Sequence, residues 1–454
     1  MSRRSNLFGV GITTLPSWAD YTALPAGNFI EFTLNTPDAS GVLMQAANLV
    51  DWCGGVFVPD YGTRGGVAYL GGGEHSTWVD SRSDGGQGQQ GVYVLDCDTR
   101  LYSRKCYPVV NHTGVLQDGT GSTTDAWGAY ADDGSPQSKH TYQCVSYMPA
   151  SWGGGSSGSV MTVAKSGGFV SGQTDVTGYS GTWRFDLSKS SHTVASPAVT
   201  KITGASLYDF GSGPGARINE APYACIDTLR EGWWATHRHT SGWGARMVFT
   251  SKAGVVSAPQ GVSYGAPVWY AALHHFADDD TVIALSDDYG PSGEWKWQVH
   301  VWQAGTSNAW ALNTNVTRQA ITETYGAGIP AYPQIGEMFP RWSSILGCFV
   351  GLDAWYPPNG ATGATTIRVW KITPPPSGQR FTGAWSITWE LVTAKSGTES
   401  TNFFNMAFPG FAGYGDAGVA NGIYGRFVEC PSLRAFVWTR AANKPGQLIR
   451  LQGM

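Results

Sequence analysis

Histidines and carboxylates are the side chains in this sequence whose types and spacing could grip a metal or move a proton. His237 and His239 stand two residues apart in GWWATHRH, so on a strand they would point to one face and could hold one ion together. Trp233, Trp234, Arg238 and Trp243 crowd the same stretch, and a polar, aromatic loop is an adequate explanation of it. His274 and His275 are adjacent, so on a strand they face opposite ways and at most one reaches any site. Asp278, Asp279 and Asp280, with Asp287 and Asp288, flank the run Thr281–Ser286. Such carboxylates can hold calcium, but the spacing lacks the DxDxDG loop and its distal Glu, and two acidic turns capping a strand are the plainer reading. The candidate metal ligands are thus His237, His239, Asp278 and Asp280, each with a structural reading beside it. The expected cofactor set is none.

Other chemistry has less to stand on. The glycine triplet before Glu74 and His75 does not open a helix, so it is no phosphate loop, and nothing resembles the strand-to-helix elbow of a serine hydrolase. Acid pairs for glycoside cleavage cannot be placed across facing loops from spacing alone. The seven cysteines include no CxxC pair, and several fall in apolar runs where a thiol acts as a small hydrophobe. Cys97 and Cys106 could face each other across a hairpin as a buried, reduced pair. No residue is assigned a catalytic role.

The elements that must position these groups are strands. Glycine makes up 61 of 454 residues, only 14% of residues are charged and 13% are aromatic, a balance that suits β-rich packing and leaves no convincing amphipathic helix. From Asp51 to Tyr107 the runs Gly54–Pro59, Gly66–Leu70, Gly91–Asp96 and Leu101–Tyr107 are short, apolar and bounded by turn residues, which predicts four consecutive antiparallel strands. One such sheet cannot bury both faces alone, but repeated sheets stacked radially can. The pattern recurs through Gln143–Met148, Ser159–Lys165 and Gly181–Leu187. It returns from Pro222 to Ser257, from Trp269 to Asn313, and from Trp342 to Leu391, where Pro374–Pro376 bend a connection. The last unit, Tyr424–Cys430, Ala435–Arg440 and Gln447–Leu451, has three strands, and the orphan Asn28–Leu34 is expected to supply its fourth and close the ring. The chain then reads as one domain over 1–454, with residues 1–46 as arm and closing strand and 47–454 as blades. The count is six, or seven if Leu312–Pro330 or the region around Tyr208–Arg217 holds another.

Two stretches carry a resemblance to a known family. VAYLGGGEH, with Gly71, Gly72 and Gly73, is answered by VYVLDCDTRLYSR; His140-Thr-Tyr142 precedes a strand, Gly167-Gly168 follows the next, and Trp183 stands in TWRFDL. This resembles the kelch repeat, in which an apolar strand runs into a glycine pair and an aromatic strand ends in Asp. The resemblance implies an all-β, kelch-like β-propeller. Some propellers of that superfamily are galactose oxidases, with a copper site of two Tyr, two His and a Cys; the Tyr-His dipeptide that supplies adjacent ligands there is missing here, which leaves a copper oxidase as an outlying alternative.

What remains is surface. Trp152, Trp355 and Tyr356, and the cluster Phe403, Phe404, Phe408, Phe411 and Tyr414 fall between strands, where grouped aromatics mark a protein interface or a sugar-stacking platform. A net charge of −4 offers no pull on nucleic acid. The opening MSRRSNLFGVG lacks the apolar core of a secretory signal, and no apolar span is long enough to cross a bilayer as a helix, so synthesis in a cytoplasm is expected. The low charge, Gly/Ser loops and aromatic loop patches resemble phage-particle propellers such as tail nozzles, tail tips or receptor-binding proteins. That likeness implies a non-enzymatic protein that assembles with itself or other virion subunits, with a carbohydrate-binding or carbohydrate-active propeller, directed at a cell-surface glycan, as the alternative.

Overall fold

The computed structural model describes residues 23–32, 54–70, 92–99, 101–108, 141, 143–165, 181–202, 223–238, 245–257, 272–289, 295–306, 309–320, 340–353, 366–395, 424–439 and 446–454. Among them the structure is all β apart from three-residue 3-10 turns.

The strands group as antiparallel meanders in chain order. The first sheet holds Gly54–Val58, Gly66–Leu70, Val92–Asp96 and Tyr102–Lys105; the second Val145–Met148, Ser159–Lys165, Gly181–Asp186 and Val199–Lys201. The third holds Ala224–Asp227, Gly232–Arg238 and Ala245–Ser251; the fourth Ala272–Phe276, Thr281–Tyr289, Trp295–Gln303 and Ala311–Asn313. A nine-stranded sheet supplies two further packing units that meet through Asn28–Phe32, called here the fifth sheet (Arg341–Ser343, Cys348–Leu352, Thr366–Thr373 and Trp385–Ala394) and the last (Phe427–Cys430, Ala435–Thr439 and Gly446–Arg450). Asn28–Phe32 runs antiparallel to Gly446–Arg450, with Phe29 opposite Ile449, and so supplies the fourth strand expected of it.

Continuous apolar runs form these strands because both faces of each sheet are covered. On Gly66–Leu70, Val67 and Tyr69 point into the core shared with the last sheet, while Ala68 and Leu70 point into the core shared with the second. On Thr281–Tyr289, Val282 and Ala284 face the third sheet and Ile283 and Leu285 the fifth. Met161 and Val248 join the second sheet to the third, and Val350 and Phe436 join the fifth to the last. The first strands of the sheets touch in the same cyclic order, with that of the last sheet returning to that of the first. Sheets packed face to face around an axis lined by their first strands form a propeller-like ring.

The third-to-second parallel bridge, Gln143 with Tyr223, sets the first strands running the same way. Two consequences follow for where connections lie. The turns joining first to second strands gather at one end, which we call the turn end: Asp60 of the first turn accepts from the Ala150 amide of the second at 2.7 Å, and Arg230 of the third meets Asp280 of the fourth. The connections from second to third strands, and from each sheet to the next, leave at the opposite, loop end. The turns are tight, and Glu231, Asp280 and Arg434 take the same left-handed backbone there that Gly347 takes in the fifth sheet.

Several elements differ from the sequence reading. Val199–Lys201 completes the second sheet unforeseen, and after Ala245–Ser251 the stretch expected to continue to Ser257 as strand makes one bridge, Thr250 with Val256. Val316–Arg318 lies parallel to Trp385–Ile387 on the fifth sheet's edge, while residues 321–330 and the region around Tyr208–Arg217 lie outside the described residues. Cys97 does not face Cys106: Cys106 turns toward the second sheet, where its thiol bonds the Asp186 carbonyl at 3.1 Å, while the Cys97 sulfur lies 3.4 Å from that of Cys430. The hairpin places the two side chains on opposite faces of the first sheet, in different cores.

Candidate functional site

Among the described residues, a dense group of ionisable side chains sits at the turn end between the third and fourth sheets. Asp227 ends a first strand, and its buried carboxylate accepts from the amides of Leu229 and Arg230 at 2.9 and 3.0 Å and from Trp234 Nε1 at 2.8 Å. Arg230 Nη1 reaches both Asp227 and Asp280 at 2.7 Å. His275 Nε2 lies 2.9 Å from Asp280 Oδ1, and its Nδ1 is 3.5 Å from Asp227. Asp227, His275 and Asp280 offer atoms within 4.8 Å of one another, a spacing that suits a divalent ion. The Arg230 guanidinium, however, already bridges both carboxylates, so a cation would have to displace it. Burial works against ionisation of Asp280, but its bonds to Arg230 and His275 win and hold it below the usual carboxylate range. The chemistry of this donor set is an ion-pair clamp between sheets.

A recess of about 560 Å³ opens beside it, lined by Ile226, His274, Asp278, Trp342, Pro375 and Arg380 among others. His274 stacks on Trp342 with centroids 4.7 Å apart and meets Phe276 edge-on at 4.6 Å. Burial, aided by the neighbouring charges of His275 and Arg380, lowers its pKa to about 3, so the ring is neutral. Arg380 arrives from the proline-rich connection of the fifth sheet, lies 3.9 Å over the Phe276 ring, and bonds Asp278 at 3.0 Å and Asp279. That pairing holds the Asp278 carboxyl below its ordinary range. Asp278 and Asp280 therefore serve different arginines, Arg380 and Arg230. His274 and His275 face opposite sides of their strand, one toward the recess and one toward the clamp.

A neutral buried histidine makes stability depend on pH. His300 is buried in the fourth sheet beside Gln298 Oε1 at 3.0 Å, and burial lowers its pKa to about 4. The unfolded chain takes up a proton near pH 6.5 and the folded chain does not until about pH 4, so stability falls as pH drops through that window. The expected loss from this residue is about 3 kcal/mol. Urea midpoints from pH 7.5 to 4 should decline more steeply for the natural chain than for His300→Gln. Equal slopes would show that His300 is not held neutral.

The structure distributes the sequence candidates unequally. Trp152 lies in the 3-10 turn Ala150–Trp152 at the turn end, edge-on to Trp233 at 5.8 Å and packed on the core between second and third sheets. It is partly exposed and packs within the ring between two sheets. Trp183 is buried in its third strand. His237 belongs to Gly232–Arg238, paired with Arg246, and its side chain lies outside the described residues, as do His239, Gly71, Gly72, Gly73, His140, Tyr142, Gly167, Gly168, Trp355, Tyr356, Phe403, Phe404, Phe408, Phe411 and Tyr414. The Thr141 hydroxyl donates to the Leu70 carbonyl and accepts from the Gly54 amide at 2.7 Å, tying second sheet to first at the loop end.

No protein-family model matches the chain, and no curated protein matches it either. Among solved structures it is similar to TolB from Acinetobacter baumannii, with a TM-score of 0.32 and 12% identity over 75% of this chain and 57% of that one. It is also similar to 1,3Gal43A, an exo-β-1,3-galactanase from Clostridium thermocellum (TM-score 0.35, 9% identity, 80% and 62% covered). A third likeness is to the exo-β-1,3-galactanase of Phanerochaete chrysosporium (TM-score 0.31, 9% identity, 80% and 64% covered). The chain spans less than two thirds of each, and at such scores the likenesses carry no argument about what it does. The propeller-like fold rests on the cyclic order of its own cores and first strands.

Proposed function

We propose that the chain is a six-bladed β-propeller of kelch type that acts by binding and not by catalysis, using its loop end to engage other protein subunits, as in a virion. The observation that carries this reading is the division of labour between the two ends. At the turn end the polar side chains bond one another across the sheets: Tyr147 to Asp60 at 2.6 Å, Arg230 to Asp280, Arg380 to Asp278, and Ser344 to Glu429 at 2.9 Å. Groups committed to such contacts brace the ring. The strands that precede Trp355 and Phe403 in sequence, Cys348–Leu352 and Trp385–Ala394, both finish at the other end, and connections between strands are where binding residues are commonly carried.

The test is assembly. Light scattering on the full chain should report an oligomer, or pull-down from a particle or cell extract a specific subunit partner. Replacing Phe403, Phe404, Phe408 and Phe411 together by Ser should abolish that association while leaving the melting temperature unchanged. A strict monomer with no partner would sink the reading. A glycan screen whose hits vanish in Trp342→Ala would instead promote a carbohydrate ligand in the recess.

A further inference from the structure

Cys97 and Cys430 meet across the interface where the last sheet returns to the first. Cys97 stands in the turn between third and fourth strands of the first sheet, and Cys430 ends the first strand of the last. Their sulfurs are 3.4 Å apart, 333 residues distant in sequence, and both side chains are fully buried. A disulfide needs about 2.0 Å between sulfurs, so a small side-chain adjustment separates contact from bond.

The surroundings favour the reaction at one of the two. Cys430 receives the Cys97 thiol, the Ser432 hydroxyl at 3.5 Å and the Leu433 amide, and these bonds, foremost the one from Cys97, lower its pKa against the cost of burial. Cys97 is driven the other way by donating that bond, by burial, and by Asp96 and Asp98. Ser432 and Arg434, in the turn that follows Cys430, are exposed, so opening one short turn brings the sulfur to solvent.

We propose that Cys97 and Cys430 form a redox-reversible disulfide that locks the first sheet to the last. The oxidant is a disulfide of low molecular mass or a protein disulfide carrier. The Cys430 thiolate attacks one sulfur of that disulfide, forming a mixed disulfide and releasing one thiolate, which takes up the proton Cys430 gave to solvent. Cys97, on losing its own proton, attacks the Cys430 sulfur and expels the second thiolate, which is protonated in turn. The balance is two protein thiols and one external disulfide in, one protein disulfide and two external thiols out. A bond that closes so long a loop restricts the unfolded chain strongly. The proposal stands apart from the binding role above, since it concerns the ring's closure and not its loops.

The full chain is unfolded in denaturant and refolded with a mixture of reduced and oxidised glutathione, so that access to buried sulfur limits nothing. Peptide mapping should then find Cys97 joined to Cys430, with a mass lower by two hydrogens. The oxidised protein should melt several degrees above its reduced form, and Cys97→Ser and Cys430→Ser should each lose both the crosslink and the shift. Mapping on the natural chain decides the matter even if a variant fails to fold. Free thiols at both positions after refolding, or a bridge from either to another cysteine, would overturn the proposal.

Discussion

A chain lacking residues 1–32 is expected to lose its sharp thermal unfolding transition, and the peptide spanning 23–32, added in trans, to restore it. The strand Asn28–Phe32 contributes to two cores at once, since Phe29 is buried between the fifth and last sheets and Ile30 between the last and first. Burying one such side chain fully stabilises a fold by about 1.5–3 kcal/mol. The same strand pairs residue for residue with Gly446–Arg450 and touches Thr393 and Ala394 in parallel on its other side. Without it the last sheet ends on an open edge, and backbone donors and acceptors that were paired face water or another molecule. Domains commonly keep only about 5–15 kcal/mol of net stability, so the combined loss consumes a large share. A peptide that adds itself as a strand recovers both pairing and burial. Calorimetry on the truncated chain with and without peptide checks this, and an unchanged transition in the truncated chain would remove the strand from the stabilising structure.

Arg368→Met is expected to cost about 3–5 kcal/mol, and adding Asp353→Asn to recover most of it. Both side chains are fully buried, with Nη1 and Oδ2 separated by 3.6 Å. The guanidinium lies 4.6 Å over the Trp389 ring, and Asp353 also accepts from Trp370 Nε1 at 3.1 Å. Methionine keeps much of the apolar stem, so the damage is electrostatic: the Asp353 carboxylate stays in the core without the Arg368 charge beside it. Neutralising that carboxylate removes the penalty, and the amide of Asn can still accept from Trp370. Denaturant midpoints of the two single variants and the double variant form the cycle. If the double variant is as unstable as Arg368→Met alone, the cost comes from lost packing and the charge pair contributes nothing.

The sequence disclosed those parts of the fold that depend on local pattern. Strands buried on both faces announce themselves as unbroken apolar runs, as VAYL and TVIAL do, and tight polar turns separate them. The orphan Asn28–Leu34 pointed to a missing partner because the last unit was one strand short. Short strands at the rim stayed hidden: Val199–Lys201 and Val316–Arg318 read VTK and VTR, and they are extended only because a neighbour's edge pairs with them. The candidate site was legible at the level of residue type and not of partnership. Aspartates in the triplet 278–280 marked a charged turn correctly, yet their arginines stand 50 positions before and about 100 after. His275 and Asp227 likewise meet only once the third and fourth sheets are side by side. Contacts across such gaps leave no spacing signal, and the Cys97 and Cys430 encounter is the extreme case.

The parallel rim pairings distribute stiffness unevenly around the wheel. Main-chain bonds carry the fourth sheet's trailing strand onto the fifth, and the fifth onto the closing strand of the last, while Ser191–His192 on Tyr107–Pro108 ties the second sheet to the first. Among the described residues the third sheet has no such outer tie. Two hooped arcs thus stand among the described residues, one joining the first sheet to the second and one running from the fourth to the last, while across the seam between last and first sheets side chains such as Tyr102 and Thr439 make the contact instead.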